Sequence, residues 1–175
     1  MPVLSRLTLA LPLLLAGCGA FQEANTFAPP CPRPMILRDA NDLFRYRGRG
    51  RDVTDSVLEG RVTTISGSCK RDGDDAVTAT VSVGIELIRG PAATSRVADI
   101  AYFVAVSESE RVLDKQVYQL RAEFPENTDR VRLSGDSVDL RLPVTDKKTA
   151  AAYTVTVGFQ LSPAELQLNR ARIGR

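Results

Sequence analysis

The chain has 175 residues, enough for one domain, and its 43% hydrophobic and 25% charged content is that of an ordinary globular protein. Lys and Arg number 23 against 21 Asp and Glu, so a net charge of +2 supplies no bulk attraction to nucleic acid. Histidine and tryptophan are both absent, and the missing imidazole excludes Ser-His-Asp and Cys-His nucleophiles, imidazole acid–base chemistry and His-ligated metals.

Residues 1–17 read as a secretory signal peptide. Arg6 supplies the positive n-region, and the apolar run Leu7–Leu15 is interrupted only by Thr8 and Pro12. The run is shorter than the ~20 residues of a membrane span. It ends in Leu15-Ala16-Gly17-Cys18, which resembles the lipobox of bacterial lipoproteins. That resemblance implies cleavage before Cys18, a diacylglycerol on its thiol and a fatty acyl chain such as palmitate on the new amino group. Two or three acyl chains hold a protein firmly on a bilayer, where one does so only marginally. In the lipoproteins this segment resembles, Asp after the cysteine signals retention at the inner membrane. Gly19 therefore points to the periplasmic face of the outer membrane. The competing readings are a signal peptide with Cys18 incidental, and a buried apolar strand.

Residues 18–34 read as a tether, stiffened toward its end by Pro29, Pro30, Pro32 and Pro34, with the folded domain expected over 35–175. If Cys18 carries lipid, Cys31 and Cys69 remain as an even pair in an oxidising compartment, which favours a disulfide. Closing that loop stabilises a fold by ~3–4 kcal/mol in the chain-entropy model. The alternative is two free thiols or a redox-active pair, although no Cys-x-x-Cys motif is present.

From there the hydrophobic period is two. Short apolar segments at Met35–Leu37, Leu43–Tyr46 and Arg61–Cys69 come first. Val77, Ala79, Val81, Val83, Ile85 and Leu87 then alternate with polar or small residues, the pattern of a half-buried strand. Val97–Val106 is apolar on both faces apart from Asp99, as a central strand should be. Val117–Phe124 puts Tyr118, Leu120, Ala122 and Phe124 on one side. Val131 and Leu133 precede Gly135, and Val138, Leu140 and Leu142 follow it. The last alternation runs from Tyr153 to Leu161. Turn residues separate these runs at Asp72-Gly73-Asp74, Gly90-Pro91, 107–110, Pro125-Glu126-Asn127 and 145–148. Ser162-Pro163-Ala164-Glu165 is a capping box that opens a short C-terminal helix. The expected fold is all-β, an antiparallel sandwich of about seven strands with an immunoglobulin-like or fibronectin-III-like outline; a β-barrel is the alternative. As a whole the mature chain resembles the small β-sandwich lipoproteins of alphaproteobacterial envelopes, a resemblance that carries no catalytic residues.

Motifs for chemistry are sparse. Asp72-Gly73-Asp74-Asp75 lacks calcium-loop spacing, since the twelfth position from Asp72 is Val83 and the glycine falls second. Ser66-Gly67-Ser68-Cys69 is no Gly-x-Ser-x-Gly elbow, and Lys70 is not three residues after either serine. Thr145 and Lys148 have Ser-x-x-Lys spacing, with Thr replacing Ser, in a turn. A glycosidase-type carboxylate pair is a matter of spatial placement; Glu86, Glu108, Glu110 and Glu123 all fall on expected exposed faces or turns. Tyr102, Phe103 and Phe159 read as core. No catalytic residue, metal site or cofactor is expected.

One local feature stands out. Arg45, Arg47, Arg49 and Arg51 are spaced two apart, the last three separated by glycines. As a binding strip they would engage an acidic protein surface or anionic lipid headgroups, because the guanidinium fork pairs carboxylate and phosphate bidentately. As a solvated loop they would be offset by Asp42, Asp52 and Asp55. The expectation that follows is a non-catalytic, lipid-anchored periplasmic sandwich that binds another envelope component, a protein above all, as an accessory or assembly factor. Candidate surfaces are the arginine strip and the C-terminal helix with Arg170, Arg172 and Arg175. The alternative is a carrier or sensor of a lipid or other small apolar ligand, which needs a cavity.

Overall fold

A computed structural model describes residues 29–173. The signal segment, Cys18, most of the tether and Arg175 lie outside the described residues. Nine strands form two open sheets: β1 (Arg33–Ile36), β2 (Asp42–Tyr46), β3 (Ser56–Asp72), β4 (Ala76–Arg89), β5 (Val97–Glu108), β6 (Arg111–Glu123), β7 (Arg130–Ser134), β8 (Val138–Pro143) and β9 (Tyr153–Phe159). The first sheet has the order β1-β9-β5-β6; the second has β2-β3-β4, with β7 and β8 sharing the far edge of β4. This is the sandwich, and the barrel alternative is set aside because both sheets are open.

Two long hairpins build most of it. β3 and β4 pair from Leu58–Arg89 down to Asp72–Ala76, around a turn in which Gly73 has φ +70°. β5 and β6 pair from Val97–Glu123 to Glu108–Arg111. In β4 the alternating set Val77, Ala79, Val81, Val83, Ile85 and Leu87 is buried. It meets Ile100, Tyr102, Val104 and Val106 of β5, and Tyr153, Val155, Val157 and Phe159 of β9, in one core. β5 is covered on both faces, as its apolar sequence implied: Phe103 and Ala105 point away from that core and pack with Ala40 and Leu161.

Among the described residues the strands number nine where about seven were expected, because each apolar segment of the sequence, Met35–Leu37 and those on either side of Gly135 included, forms a strand of its own. The edge beside β4 is broken at Gly135 into β7 and β8. β1 is the segment expected at Met35–Leu37, but it starts two residues earlier, includes Pro34 and so begins within the segment read as tether. It pairs in parallel with β9, Pro34 lying opposite Val155, whereas every other pairing is antiparallel. First and last strands need no short connection, so parallel pairing imposes no crossover, and proline is tolerated because β1 is an edge.

The helix α1 (Pro163–Ile173) begins at the expected capping box. The Ser162 N–H donates to Glu165 Oε2 at 2.7 Å, and the Glu165 N–H donates to Ser162 Oγ at 3.3 Å. Its docking is polar. Asn169 is 4% exposed, and its Nδ2 donates to the carbonyls of Asp39 (2.9 Å) and Asp42 (2.6 Å). Arg170 pairs with Asp39, while Arg172 lies over the Phe44 ring and donates to the Tyr46 hydroxyl. The helix thereby covers β2, an edge of the second sheet.

Candidate functional site

The cysteine pair is bonded. Cys31 and Cys69 form a disulfide with Cα atoms 5.7 Å apart, tying the segment before β1 to the far half of β3 and hence one sheet to the other.

The arginine strip does not converge into one site. Arg45 pairs with Glu165 (3.1 Å) and donates to the Asp99 carbonyl (2.8 Å). Arg47 donates to the Ala92 carbonyl. Arg51 donates to the Gly50 carbonyl at 2.7 Å and stacks over Tyr46. Arg49 is exposed in the turn after Gly48, whose φ is +66°. Two of the four guanidiniums therefore tie this segment to other elements, Arg45 to α1 and β5 and Arg47 to the β4–β5 loop, while Arg51 stays within its own loop. Arg170 and Arg172 are likewise committed to Asp39, Phe44 and Tyr46.

Three carboxylates are held below the ordinary carboxylate range by their neighbours. Glu86 is bracketed by Arg130 and Arg132, and the Arg132 hydrogen bond leads in holding its pKa below the usual carboxylate value. Asp99 is lowered in the same way by Arg121. For Glu165, burial acts to raise the pKa, but the Ser162 N–H and hydroxyl together with Arg45 outweigh it and bring the value down. A general acid needs the opposite shift. Glu108 pairs with Lys148 at 3.0 Å, and Glu110 and Glu123 are exposed. Asp72 and Asp75 both receive Arg141, across the turn from β8. Thr145 and Lys148 exchange backbone hydrogen bonds in a tight turn. Ser66 and Ser68 lie exposed on β3. Among the described residues no three His, Cys, Asp or Glu side chains converge as metal ligands, and no helix is long and apolar enough to cross a membrane.

The outer faces of the two sheets differ in kind. On the second sheet, Asp42, Arg61, Glu86 and Arg132 lie directly opposite one another on β2, β3, β4 and β7. They form a row of alternating charge, with Arg61 2.7 Å from Asp42 and Arg132 2.9 Å from Glu86. The outer face of the first sheet carries the Asp99–Arg121 pair and, beyond it, a zone of mainly apolar rows. Met35, Thr156, Ala105 and Lys115 form one cross-strand row; Gly158, Phe103 and Val117 form the next, with Leu37 beside it at the end of β1. Met35, Leu37, Leu113 and Val117 are each about 40–45% exposed, and Val112 is 62% exposed. The one cation within these rows, Lys115, lies over the Phe103 ring at 4.5 Å.

A groove opens where the sheets part. Beyond Arg61, β3 has no strand neighbour on its outer edge among the described residues, because β2 pairs only with Ser56–Arg61. Facing it is β1, the edge of the other sheet. Between them lies a half-open groove of about 370 Å³, lined by Pro32, Pro34, Ile65, Gly67, Val81 and Val155 among others, with Cys31 and Cys69 also in its wall. No lining side chain is charged. Gly67 is required here, since a Cβ at that position would overlap the Thr80 carbonyl of β4. Neither the apolar face nor the groove was singled out from sequence. Val117 and Met35 are unremarkable in a β-rich chain, and a groove arises only from how far β2 extends along β3.

Comparison with protein-family models, with characterised proteins and with solved structures finds no match to this chain.

Proposed function

We propose that the protein is a non-catalytic, lipid-anchored periplasmic sandwich of the outer membrane that docks another envelope protein as an accessory or assembly factor. The observation that carries this reading is the contrast between the two outer faces. Charge pairs and hydrogen bonds lace one face, while the other, apart from the Asp99–Arg121 pair, presents Met35 and Leu37 at one edge and Leu113 and Val117 at the other to solvent, and exposed apolar surface marks interaction sites. The anchor rests on Cys18. From Cys18 to Cys31 an extended chain spans at most ~45 Å, which keeps the domain close to the bilayer and to partners embedded there.

The experiment is chemical cross-linking in intact cells, followed by detergent extraction and mass spectrometry. The unsubstituted protein is compared with Leu113→Asp/Val117→Asp, Val53→Asp and Cys18→Ser. One near-stoichiometric partner is expected, retained in Val53→Asp, where the altered residue is exposed but off the face. It is lost in the double variant, and Cys18→Ser is released from the membrane fraction. A partner captured equally by the Leu113→Asp/Val117→Asp protein would overturn the docking face, and a membrane-bound Cys18→Ser form would overturn the anchor.

The groove favours a second reading, a carrier or sensor of a small apolar ligand. Its volume falls within the range of ~300–1,000 Å³ typical of ligand sites, and its lining is apolar and uncharged.

A further inference from the structure

We infer that the open edge of β3 takes up one extended peptide segment of another envelope protein, added as a strand in the slot between β3 and β1; this inference rests on the docking reading. The register of the sheet fixes which groups are on offer. The Gly135 N–H donates to the Val83 carbonyl and the Arg89 N–H to the Asp129 carbonyl. Odd-numbered residues of β4 therefore turn their backbone groups toward β7, and even-numbered ones toward β3. Those even residues lie opposite Thr64, Ser66, Ser68 and Lys70. Ile65 and Gly67, with Cys69 at the end closed by the disulfide, are left turning both N–H and C=O outward into the slot. No strand pairs with that side of them among the described residues, and no backbone hydrogen bond outside the ladders reaches them. Donors and acceptors in a row, on every second residue, are matched by another extended main chain. A small apolar ligand cannot satisfy them.

The floor of the slot suits the side chains of such a strand. Val81 of β4 and Val155 of β9 line it, and no lining side chain is charged. Every second side chain of the added strand meets this floor, so the segment carries small apolar residues at alternate positions. Gly67 lies opposite Val81 and, lacking a side chain, leaves the edge open to close approach by a backbone. The other edges are guarded. β6 carries Asp114, Lys115 and Arg121, and β7 and β8 carry Arg130, Asp139 and Arg141. β1 contains Pro34, and α1 covers β2. Charges and prolines of this kind keep strand edges from pairing. Between Val62 and Cys69 β3 has neither, and beyond the bulge at Val62–Thr64 its pairing with β4 is regular. β1 borders the slot on its other side and the disulfide closes one end, so a lone segment fits where the edge of a second folded sheet does not.

A phage-displayed library of random dodecapeptides, panned on the soluble Cys18→Ser protein, supplies the probe. Enriched peptides are expected to converge on an uncharged stretch with small apolar residues at alternate positions. In the free protein the Ile65 and Gly67 amides should exchange rapidly, and those of Ser66 and Ser68, bonded to β4, slowly. The best enriched peptide should slow Ile65 and Gly67 by about tenfold or more and leave Ser66 and Ser68 as they were. N-methylation of the peptide at every second residue should weaken binding by about tenfold per site, the scale of a lost backbone hydrogen bond; at the intervening residues it should change nothing. Ile65→Phe, with an unchanged far-ultraviolet spectrum, should weaken the peptide, and Leu113→Asp/Val117→Asp should not. Panning without convergence, equal effects of N-methylation at both sets of positions, or binding that depends on Leu113 and Val117 would each overturn strand addition. Slow exchange of Ile65 and Gly67 in the free protein would overturn it too, the edge then being filled by residues 18–28 of this chain or, in a dimer seen by sedimentation, by a second copy. The docking reading stands apart from these outcomes and falls only if cross-linking in intact cells yields no near-stoichiometric partner.

Discussion

The Tyr102 hydroxyl from β5 occupies the space in which a side chain at residue 135 would sit. Gly135 lies in the break between β7 and β8, and its N–H still donates to the Val83 carbonyl at 2.9 Å, continuing the ladder on β4. Tyr102 in turn stacks on Tyr118 with ring centroids 5.4 Å apart. The two sheets thus interlock through an aromatic on one and a missing side chain on the other. Gly135→Ala should destabilise the domain by ~1–3 kcal/mol, the usual cost of overpacking, read as a lower urea midpoint. Tyr102→Phe in the same chain should recover part of the loss by removing the overlapping oxygen.

The disulfide joins positions separated by 38 residues. Loop-closure entropy for that span corresponds to about 4 kcal/mol. Cys31→Ser/Cys69→Ser should lower stability by that order, and a reducing agent should lower the melting temperature of the parent but not of the double variant. An equal response of both proteins to reductant would contradict a structural bridge.

Helix docking depends on Asn169. Replacing it by Leu removes the donor to the Asp39 and Asp42 carbonyls and leaves those acceptors facing an apolar group. A loss of ~1–3 kcal/mol is expected for such a stranded buried group. Amide exchange should show α1 opening before the sheets; protection of α1 equal to that in the parent would refute the assignment.

Stability should fall in acid. Glu86, Asp99 and Glu165 all have pKa values below those of the unfolded chain. Each therefore binds protons more readily when unfolded. Their contribution is complete above the ordinary carboxylate range of about 4 and is lost as pH falls through the lower folded-state values. Chemical denaturation from pH 7 to pH 2 should give a urea midpoint that drops below about pH 4. In Glu86→Gln the drop should be shallower, because one of the three groups no longer titrates.

Much of this architecture was legible in the residues themselves. The alternation Val77–Leu87 announces a strand with one buried face, since side chains alternate across a pleat. The unbroken apolar run up to Val106 announces a strand covered twice. Ser162 and Glu165 mark the helix start because the unpaired N–H groups there need acceptors within reach. Other features depend on partners distant in sequence. β6 extends back through its polar half to Arg111 because β5 offers a matching edge, and β1 exists because β9 does. The arginine strip illustrates the limit most directly. Spacing shows four cations together, but only the fold brings up Glu165, the Ala92 carbonyl and the Asp99 carbonyl to engage them. By itself the sequence determined the two-layered β architecture, the helix cap and the cysteines available to pair, because these follow from local periodicity and short-range hydrogen bonding. Only the tertiary structure decided which sheet face stays apolar, where the edge of β3 is left open beside the disulfide and which charges remain uncompensated, because each depends on groups brought together across long stretches of chain.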